Sequence, residues 1–230
     1  MKEQGQVGRV ARRRAIVREK LLKSAYSLMS KVGVEKTSIQ DVTNLADVGY
    51  GTFFNHFKTK DDLTLSVIDC LITNIGRRND ISTIEIKTKH PAEVVCRSVR
   101  LVIRELVRKP IWGWLLLRPD ILVSRMRTKL YPFGMRDFKV AIKNKRFIIA
   151  NDEVDIGWSV LIWILAGCAK DIQDGYISED RERVYSELSM RAMGVSLEDA
   201  RRLSKKSIPD LPELEINFSN NEAIDGITSN

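Results

Sequence analysis

A short stretch near the N-terminus carries side chains suited to contacts with nucleic acid. The amide of Asn55 can bond bidentately to adenine, and the ring of Tyr50 can contact a thymine methyl group or a phosphate. Thr52 can donate its hydroxyl to a phosphate or bond back to its own helix. His56 can donate to a phosphate or cap a helix end. Lys60 stands at a predicted helix start, where the positive helix end also favours a phosphate; solvation is the alternative.

Helical periodicity predicts the elements that must position these side chains. Apolar residues at three- and four-residue steps predict a helix over about 15–32, and a capping-box pattern from Thr37 to Gln40 opens a second helix over 38–46. A third short helix over about 50–56 follows a tight turn, and a fourth is predicted over 60–75. Two short helices joined by a tight turn have the layout of a helix-turn-helix, whose second helix can enter the major groove of DNA.

Positive charge is concentrated beside these elements. The chain has 230 residues and a net charge of +8, of which residues 1–60 supply +7 and residues 61–230 only +1. Such a local excess is typical of a nucleic-acid or anionic-membrane partner, although a solvated basic tail is the alternative. Residues 1–14 show no apolar pattern and are predicted to form a flexible arm that enters an adjacent minor groove. The arginines of this arm are Arg9, Arg12, Arg13 and Arg14.

The segment from Thr37 to Leu63, with the helix before it, resembles the DNA-binding domain of the TetR family of bacterial regulators. Four positions depart from the family pattern. Thr43 stands where the family prefers Ala, Asp47 replaces a Gly, Gly49 replaces a capping Ser, and Phe54 replaces a Tyr. The residues in register with the family pattern are Thr37, Asp41, Ala46, Val48, Gly51, Thr52, His56, Phe57, Lys60 and Leu63.

The resemblance implies a DNA-reading surface on the helix at 50–56. Gly51 would let the backbone approach the bases, and Gln40 on the preceding helix is a further candidate for a base contact. Phe53 and Phe57 continue the inward apolar stripe and are predicted to lie in the core. The complete predicted set is Gln40, Gly49, Tyr50, Gly51, Thr52, Phe54, Asn55, His56 and Lys60, with Arg12, Arg13 and Arg14 of the arm.

The rest of the chain is also predicted to be helical. No segment alternates strictly in twos, so the fold class is all-α, with the helix-turn-helix domain at 15–62 and a larger helical domain at 63–207. Residues 208–230 hold five acidic and no basic side chains and are predicted to be a poorly ordered tail. The further predicted helices are 92–108, 111–117, 121–130, 134–147, 152–173 and 180–193.

The larger domain is rich in aromatic residues and methionine, which are more often core than pocket. The family resemblance implies a small-molecule cavity here, formed among the central helices. Residues 118–146 carry nine basic and two acidic side chains, which suits a hydrophobic effector with an anionic group; a solvated helix face is the alternative. The candidate ligand-binding residues are Trp112, Met126, Tyr131, Phe138, Trp158 and Ile162.

The resemblance also implies a homodimer built on the helices 152–173 and 180–193. Apolar residues spread around the first of these more widely than one core face requires, so a second subunit should bury some of them. A dimer would place two reading helices on the half-sites of a near-palindromic operator. The residues concerned are Ile156, Val160, Trp163, Ile164 and Gly167.

Other classes of function find little support in the sequence. Gly157-Trp158-Ser159 lacks the second Gly of a nucleophile elbow, and there is no phosphate-binding loop, dinucleotide motif or HExxH, so we expect neither an enzyme nor a cofactor. Three scattered cysteines and two histidines predict no metal centre. The longest apolar run, Ile156–Ala169, is too short to span a bilayer, and no signal peptide is evident.

These features predict a cytoplasmic bacterial regulator, associated with the nucleoid when it is bound to DNA. It is expected to be a repressor released or altered by a small effector, with no membrane partner. Two alternatives remain at this point: a non-enzymatic carrier of hydrophobic ligands, and a regulator without a ligand that is controlled by a protein partner.

Overall fold

The structure, a computed structural model, describes residues 2–87 and 89–219, with side chains from residue 9 onward. Within those residues it contains α-helices and short 3₁₀ turns but no β-strand, which confirms the predicted all-α class. The helices are α1 (Lys2–Val32), α2 (Ile39–Ala46), α3 (Tyr50–Phe53), α4 (Lys60–Thr83), α5 (Pro91–Arg108), α6 (Pro110–Leu116), α7 (Pro119–Lys129), α8 (Tyr131–Lys143), α9 (Val154–Gln173), α10 (Glu182–Ala192) and α11 (Leu197–Ser204).

Helix α1 starts far earlier than the sequence predicted. It begins at Lys2, so residues 2–14 are helical, and the predicted flexible arm over 1–14 requires correction. The segment contains four Arg and two Gln, which are good helix formers, and no proline. Extending a helix that tertiary packing has already formed needs no new nucleation, so such residues continue it.

The described residues divide into two units, the first of which comprises residues 2–71 and 215–219. Its core forms where α1, α2 and the start of α4 present their apolar stripes. Leu21 and Leu22 of α1, Val42 of α2 and Leu63 of α4 are fully buried. Phe53, the last residue of α3, is also fully buried, as the sequence predicted. Since α3 has only four residues, this single side chain attaches the short helix to the core.

Local side-chain bonds begin and end α2. Ser38 caps its start, and Asp41 accepts in return from the Ser38 backbone N–H at 3.1 Å, so the capping box forms one residue later than the predicted pattern from Thr37 to Gln40. Thr43 is fully buried, and its hydroxyl donates to the Gln40 carbonyl, so the polar group is satisfied where the TetR pattern has Ala. Asp47 ends the helix in the left-handed conformation, at φ 53°, where the family has glycine.

The second unit, residues 72–214 as far as they are described, is built around α5. Helices α6, α8, α9, α10 and α11 all contact α5. The burial of α5 extends to charged side chains: Arg100 is buried and donates to a carboxylate oxygen of Glu182 on α10 at 3.1 Å. The partly exposed Arg104 donates to the same oxygen at 2.8 Å. Such a buried ion cluster stays stable only while every partner is present.

Two elements of this unit differ from the sequence prediction. Helix α4 continues through Gly76 to Thr83, although the pattern lapses at that glycine. The ring of Phe133 explains why a glycine stands inside this helix, since a Cβ at Gly76 would lie 2.4 Å from the ring. Helix α11 was not predicted at all, although Ser196 is its N-cap and acidic residues fill its first turn, which are recognised start signals.

The segment after α11 is fixed by side-chain contacts as far as Ser219, so the prediction of a poorly ordered tail from 208 requires correction. In the second unit, Arg78 donates to the carbonyls of Leu211 and Pro212 at 3.3 and 2.7 Å. In the first unit, Phe218 is buried and packs against Tyr26 at 5.7 Å between ring centroids. The remainder of the predicted tail, 220–230, lies outside the described residues.

Replacing Asp47 with glycine should stabilise the first unit. The change relieves a left-handed conformation in a residue with a Cβ, while it adds some freedom to the unfolded chain, for a net gain of about 0.5–1 kcal/mol. Urea denaturation followed by circular dichroism measures the change. Asp47→Ala is the matched control, since it keeps the Cβ and the strain. A lower stability for Asp47→Gly would contradict this account.

Candidate nucleic-acid interface and ligand cavity

The surface of α3 opposite Phe53 is exposed. Tyr50 and Phe54 are each about half exposed, and their rings meet edge to face at 5.5 Å. Between them, a Cβ at Gly51 would meet no atom within 4 Å. Asn55 is exposed immediately after the helix. This face therefore combines an amide, two aromatic rings and an open stretch of backbone, as the sequence predicted.

The start of α3 has no side-chain cap. Gly49 takes the N-cap position in an extended conformation and offers no side-chain oxygen. Thr52 is half-buried on the first turn, and none of the described hydrogen bonds involves its hydroxyl. The alternative of a bond back to its own helix therefore finds no support in the geometry. A hydroxyl and uncapped backbone N–H groups at a helix start are suitable donors to a phosphate.

Two basic residues that were predicted to contact DNA make internal hydrogen bonds. Lys60 donates to the carbonyls of Val34 and Thr37, at 3.1 and 3.2 Å, and so joins α4 to the turn before α2. Its ammonium has three donors, so one is left for a phosphate. Arg14, predicted to enter the minor groove with the arm, donates to the Asn55 carbonyl at 3.3 Å. It therefore fixes the backbone that follows α3.

His56 and Gln40 are also constrained. The Nδ1 atom of His56 is buried with no described partner, so only the other ring nitrogen is left to reach a phosphate. Burial lowers the pKa of His56, and the charges of Arg14 and Arg18 lower it further. Gln40 is exposed on α2 but donates to the Asn44 side chain at 2.7 Å, a bond it must give up to contact a base. Arg12 and Arg13 are exposed on α1.

The second unit contains a small apolar cavity of about 40 Å³. Two glycines shape it, because Phe133 lies against Gly76 and the Trp158 ring lies 2.4 Å from a Cβ placed at Gly134. Glycines inside helical patterns mark such close approaches, so these positions could have been found in the sequence. The lining residues are Gly76, Asn79, Val95, Ser98, Val99, Val102, Leu130, Phe133, Gly134, Asp137, Trp158, Leu161 and Leu165.

Two of the residues that line this apolar space carry hydrogen-bond acceptors. Asn79 donates to the Ser98 hydroxyl at 2.6 Å, whereas its Oδ1 is buried with no described partner. Asp137 is also buried, and its burial raises the pKa of the carboxyl, although Arg136 at 3.1 Å and Lys87 at 3.7 Å oppose the rise. An unpaired buried acceptor is costly, so a ligand hydroxyl placed against it would be bound favourably.

The predicted ligand-binding residues are only partly brought together. Trp158 lines the cavity, and Tyr131 and Phe138 contact it edge to face at 6.4 and 6.3 Å. Trp112, Met126 and Ile162 are buried in the core and are not among the lining residues. An apolar pattern cannot separate a cavity wall from close-packed core, which is why the prediction included them.

The anionic character expected of the effector stays a prediction, which this cavity does not support. None of the nine basic residues of 118–146 is among its described lining residues. Several are engaged elsewhere: Arg118 stacks on Trp114 at 4.1 Å, and Arg127 donates to Ser159 at 2.9 Å.

Among the helices that the structure describes, none combines the length and the apolar character that a membrane span requires.

Comparison with known proteins agrees with this architecture. Residues 21–67 match "Bacterial regulatory proteins, tetR family", and residues 90–206 match "Tetracyclin repressor-like, C-terminal domain". The HTH-type transcriptional repressor Rv3405c of Mycobacterium tuberculosis is 31% identical over 94 residues, or 41% of this chain. YerO of Bacillus subtilis, an uncharacterized HTH-type transcriptional regulator, is 25% identical over 115 residues, or 50% of this chain. The matches span less than half of these relatives, 46% and 39% of their lengths.

A solved structure extends the likeness to both units. RolR, in complex with resorcinol, superposes with a TM-score of 0.74 at 24% identity, covering 88% of this chain and 100% of that one. RolR without ligand superposes with a TM-score of 0.73. The N-terminal match includes the helix-turn-helix, and the C-terminal match includes the α5-centred unit. The chain belongs to the TetR family of bacterial transcriptional regulators.

Proposed function

We propose that the chain is a ligand-responsive repressor that binds a near-palindromic operator as a homodimer. The observation that carries the proposal is the α3 surface, where Phe53 is fully buried while Tyr50 and Asn55 are exposed on the opposite side. In a family of helix-turn-helix regulators, such a face inserts into the major groove. A carrier of hydrophobic ligands would have no use for this basic, outward-facing helix-turn-helix.

Two kinds of DNA contact follow from this arrangement. Asn55 and Tyr50 read base edges, because their side chains are exposed on the reading face. Thr52, the uncapped start of α3 and the remaining Lys60 donor hold phosphates. Arg12 and Arg13 on the helical extension of α1 add sequence-independent attraction.

An exposed apolar stripe supports the dimer. Ile156, Val160 and Trp163 are 63%, 40% and 50% exposed, and with Gly167 they recur at three- and four-residue steps along one side of α9. Leu188 on α10 is 46% exposed. A second copy of the chain would cover this stripe by packing α9 and α10 against the same helices across a two-fold axis.

The effector is a small, neutral aromatic compound with hydroxyl groups. The apolar walls suit a ring, and Asn79 and Asp137 supply acceptors for its hydroxyls. Resorcinol, which RolR binds, has this chemistry. The cavity of about 40 Å³ is too small for a ring, since benzene occupies a cavity of about 150 Å³. Entry therefore requires the half-buried Phe133 ring to leave its place beside Gly76.

Helix α4 supplies the coupling. It carries Leu63 in the core of the first unit, and the same helix carries Gly76 and Asn79 at the cavity wall. A ligand that moves Phe133 away from Gly76 changes what α4 packs against. The ligand therefore shifts the equilibrium between two positions of α4. The size of the shift is set by the difference between the ligand's affinities for the two positions.

Asn55→Ala should remove sequence reading but leave general DNA attraction. Binding is measured by fluorescence anisotropy on a duplex that the wild-type protein selects from a random pool, and on a scrambled version. We expect affinity for the selected duplex to fall about 5- to 150-fold, as for loss of one bidentate base contact, with little change on the scrambled one.

Two controls accompany this measurement. Asn144→Ala replaces an exposed Asn of the second unit and should change neither affinity. Arg12→Gln with Arg13→Gln should weaken binding to both duplexes alike. It should also reduce the slope of log affinity against log salt concentration by about 0.9 per lost phosphate contact. A failure to enrich any sequence, or equal losses for Asn55→Ala on both duplexes, would refute reading by α3.

Trp163→Glu should convert the dimer to a monomer, because it places a charge in the centre of the apolar stripe. Light scattering coupled to size exclusion gives the mass directly, with a wild-type value of twice 26.3 kDa expected. The matched control is Ile84→Glu, at an apolar residue that is 70% exposed and does not belong to the stripe. A monomeric wild type, or an unaffected dimer in Trp163→Glu, would contradict the interface.

Resorcinol should raise the melting temperature of the protein and cause it to release the selected duplex. Toluene, a ring without hydroxyls, should have a weaker effect on both. Asn79→Ala should weaken the resorcinol effect, because it removes the unpaired acceptor. Thermal shift and anisotropy read the two effects separately. No response to either compound would reject this effector class and favour control by a protein partner.

A further inference from the structure

The second unit contains a larger cleft that shares no lining residue with the apolar cavity. It has a volume of about 270 Å³, and four segments enclose it: the start of α5, the loop after α8, the turn between α10 and α11, and one side of α11. The lining residues that matter for its chemistry are Lys89, Ala92, Glu93, Lys145, Arg146, Ile148, Val195, Asp199, Arg202, Leu203 and Lys206.

The cleft carries an excess of positive charge. Five of its lining side chains are Lys or Arg and two are acidic. Arg202 is paired with Asp199 at 2.6 Å, and Lys206 is paired with Glu93. None of the described ion pairs involves Lys89, Lys145 or Arg146, all of which are exposed, although the charge of Arg146 also acts on Asp199. A net of three positive charges thus borders one concave space, where low-dielectric walls strengthen attraction for an anion.

Backbone donors add to this charge. Helix α5 starts at Pro91, and no side chain caps its N-terminus. Ala92 and Glu93 follow in the first turn and are buried, and no described hydrogen bond uses their backbone N–H groups. A helix of 18 residues therefore directs unpaired donors and its positive end to the same cleft that the cations border.

The apolar part of the cleft is held in place by a close contact between two loops. Ile148 donates its backbone N–H to the Met193 carbonyl at 2.9 Å. Gly194 follows at φ 85°, and a Cβ there would lie 2.7 Å from the Ile148 Cβ. Ile148, Val195 and Leu203 thus form a fixed apolar wall beside the charged groups. The combination suits an amphipathic molecule with a strongly anionic head.

We propose that this cleft is a second ligand site, which binds a small phosphate-bearing molecule. The phosphate lies between Lys145, Arg146 and the first turn of α5, where a doubly charged oxyanion meets both ammonium and backbone donors. The less polar remainder of the molecule rests on the wall formed by Ile148, Val195 and Leu203. The site is separate from the effector cavity and from α3, so it stands whether or not the proposed operator and effector are correct. It also gives a role to two of the nine cations of 118–146.

Titration calorimetry with inorganic pyrophosphate on the full chain tests this site, at an ionic strength held constant with sodium chloride. Lys145→Gln with Arg146→Gln should weaken binding about 10- to 100-fold, as for the loss of charge-assisted bonds. The matched control is Lys139→Gln with Lys143→Gln, which removes the same charge from exposed positions of α8 outside the cleft. The control should bind like the wild type, and melting temperatures without ligand verify that both variants fold.

Each other outcome overturns the site. A dissociation constant above about 1 mM for pyrophosphate and the wild-type protein would mean that the cleft has no specific affinity for this anion. Equal losses in the two double variants would mean general attraction by surface charge. Normal pyrophosphate binding in the Lys145/Arg146 variant would place the anion elsewhere. A loss of affinity for duplex DNA in the Lys145/Arg146 variant, without a loss of pyrophosphate binding, would identify the cleft as a nucleic-acid contact instead.

Discussion

The burial of Phe53 is the interaction on which the reading surface depends. A helix of four residues forms almost no internal hydrogen bonds and cannot be stable by itself. Phe53 places its ring in a core already formed by α1, α2 and α4, and Phe57 packs beside it at 5.8 Å. Every residue of α3 that faces outward is oriented by this one anchor. The exposed face can therefore vary in sequence without loss of the fold.

Basic residues in the first unit divide into two roles that charge alone does not reveal. Arg14 donates to a backbone carbonyl just after α3, and Lys60 donates to carbonyls of the turn before α2, so both fix backbone of the helix-turn-helix. Arg18 lies over the Phe57 ring at 5.1 Å and shields the core. Arg12 and Arg13 are exposed and add to the field around the unit. A cation that donates to a carbonyl keeps its charge. The basic residues of this unit can therefore position α3 and at the same time attract DNA.

Glycines opposite aromatic rings control the space in the second unit. Phe133 lies against Gly76, and Trp158 lies against Gly134, so two rings reach helical backbone directly. This packing leaves a cavity hardly larger than a water molecule, with the unpaired Asn79 oxygen beside it. The Phe133 ring therefore occupies apolar volume that the proposed effector would need. No phenylalanine, tyrosine or tryptophan is among the described lining residues of the charged cleft. The hydrogen bond from Ile148 to Met193 already holds its loops together.

The sequence by itself determined the helical class, the helix-turn-helix and the family, because apolar periodicity, a capping signal before α2 and the spacing from Thr37 to Leu63 are local properties of the chain. It also placed Phe53 inside and Asn55 outside. Only the tertiary structure decided which cations are engaged, where Arg14 and Lys60 donate, and which aromatic residues surround a cavity. These outcomes depend on residues distant in sequence that meet only on folding, and an apolar or basic side chain looks the same in the sequence whichever neighbour it finds.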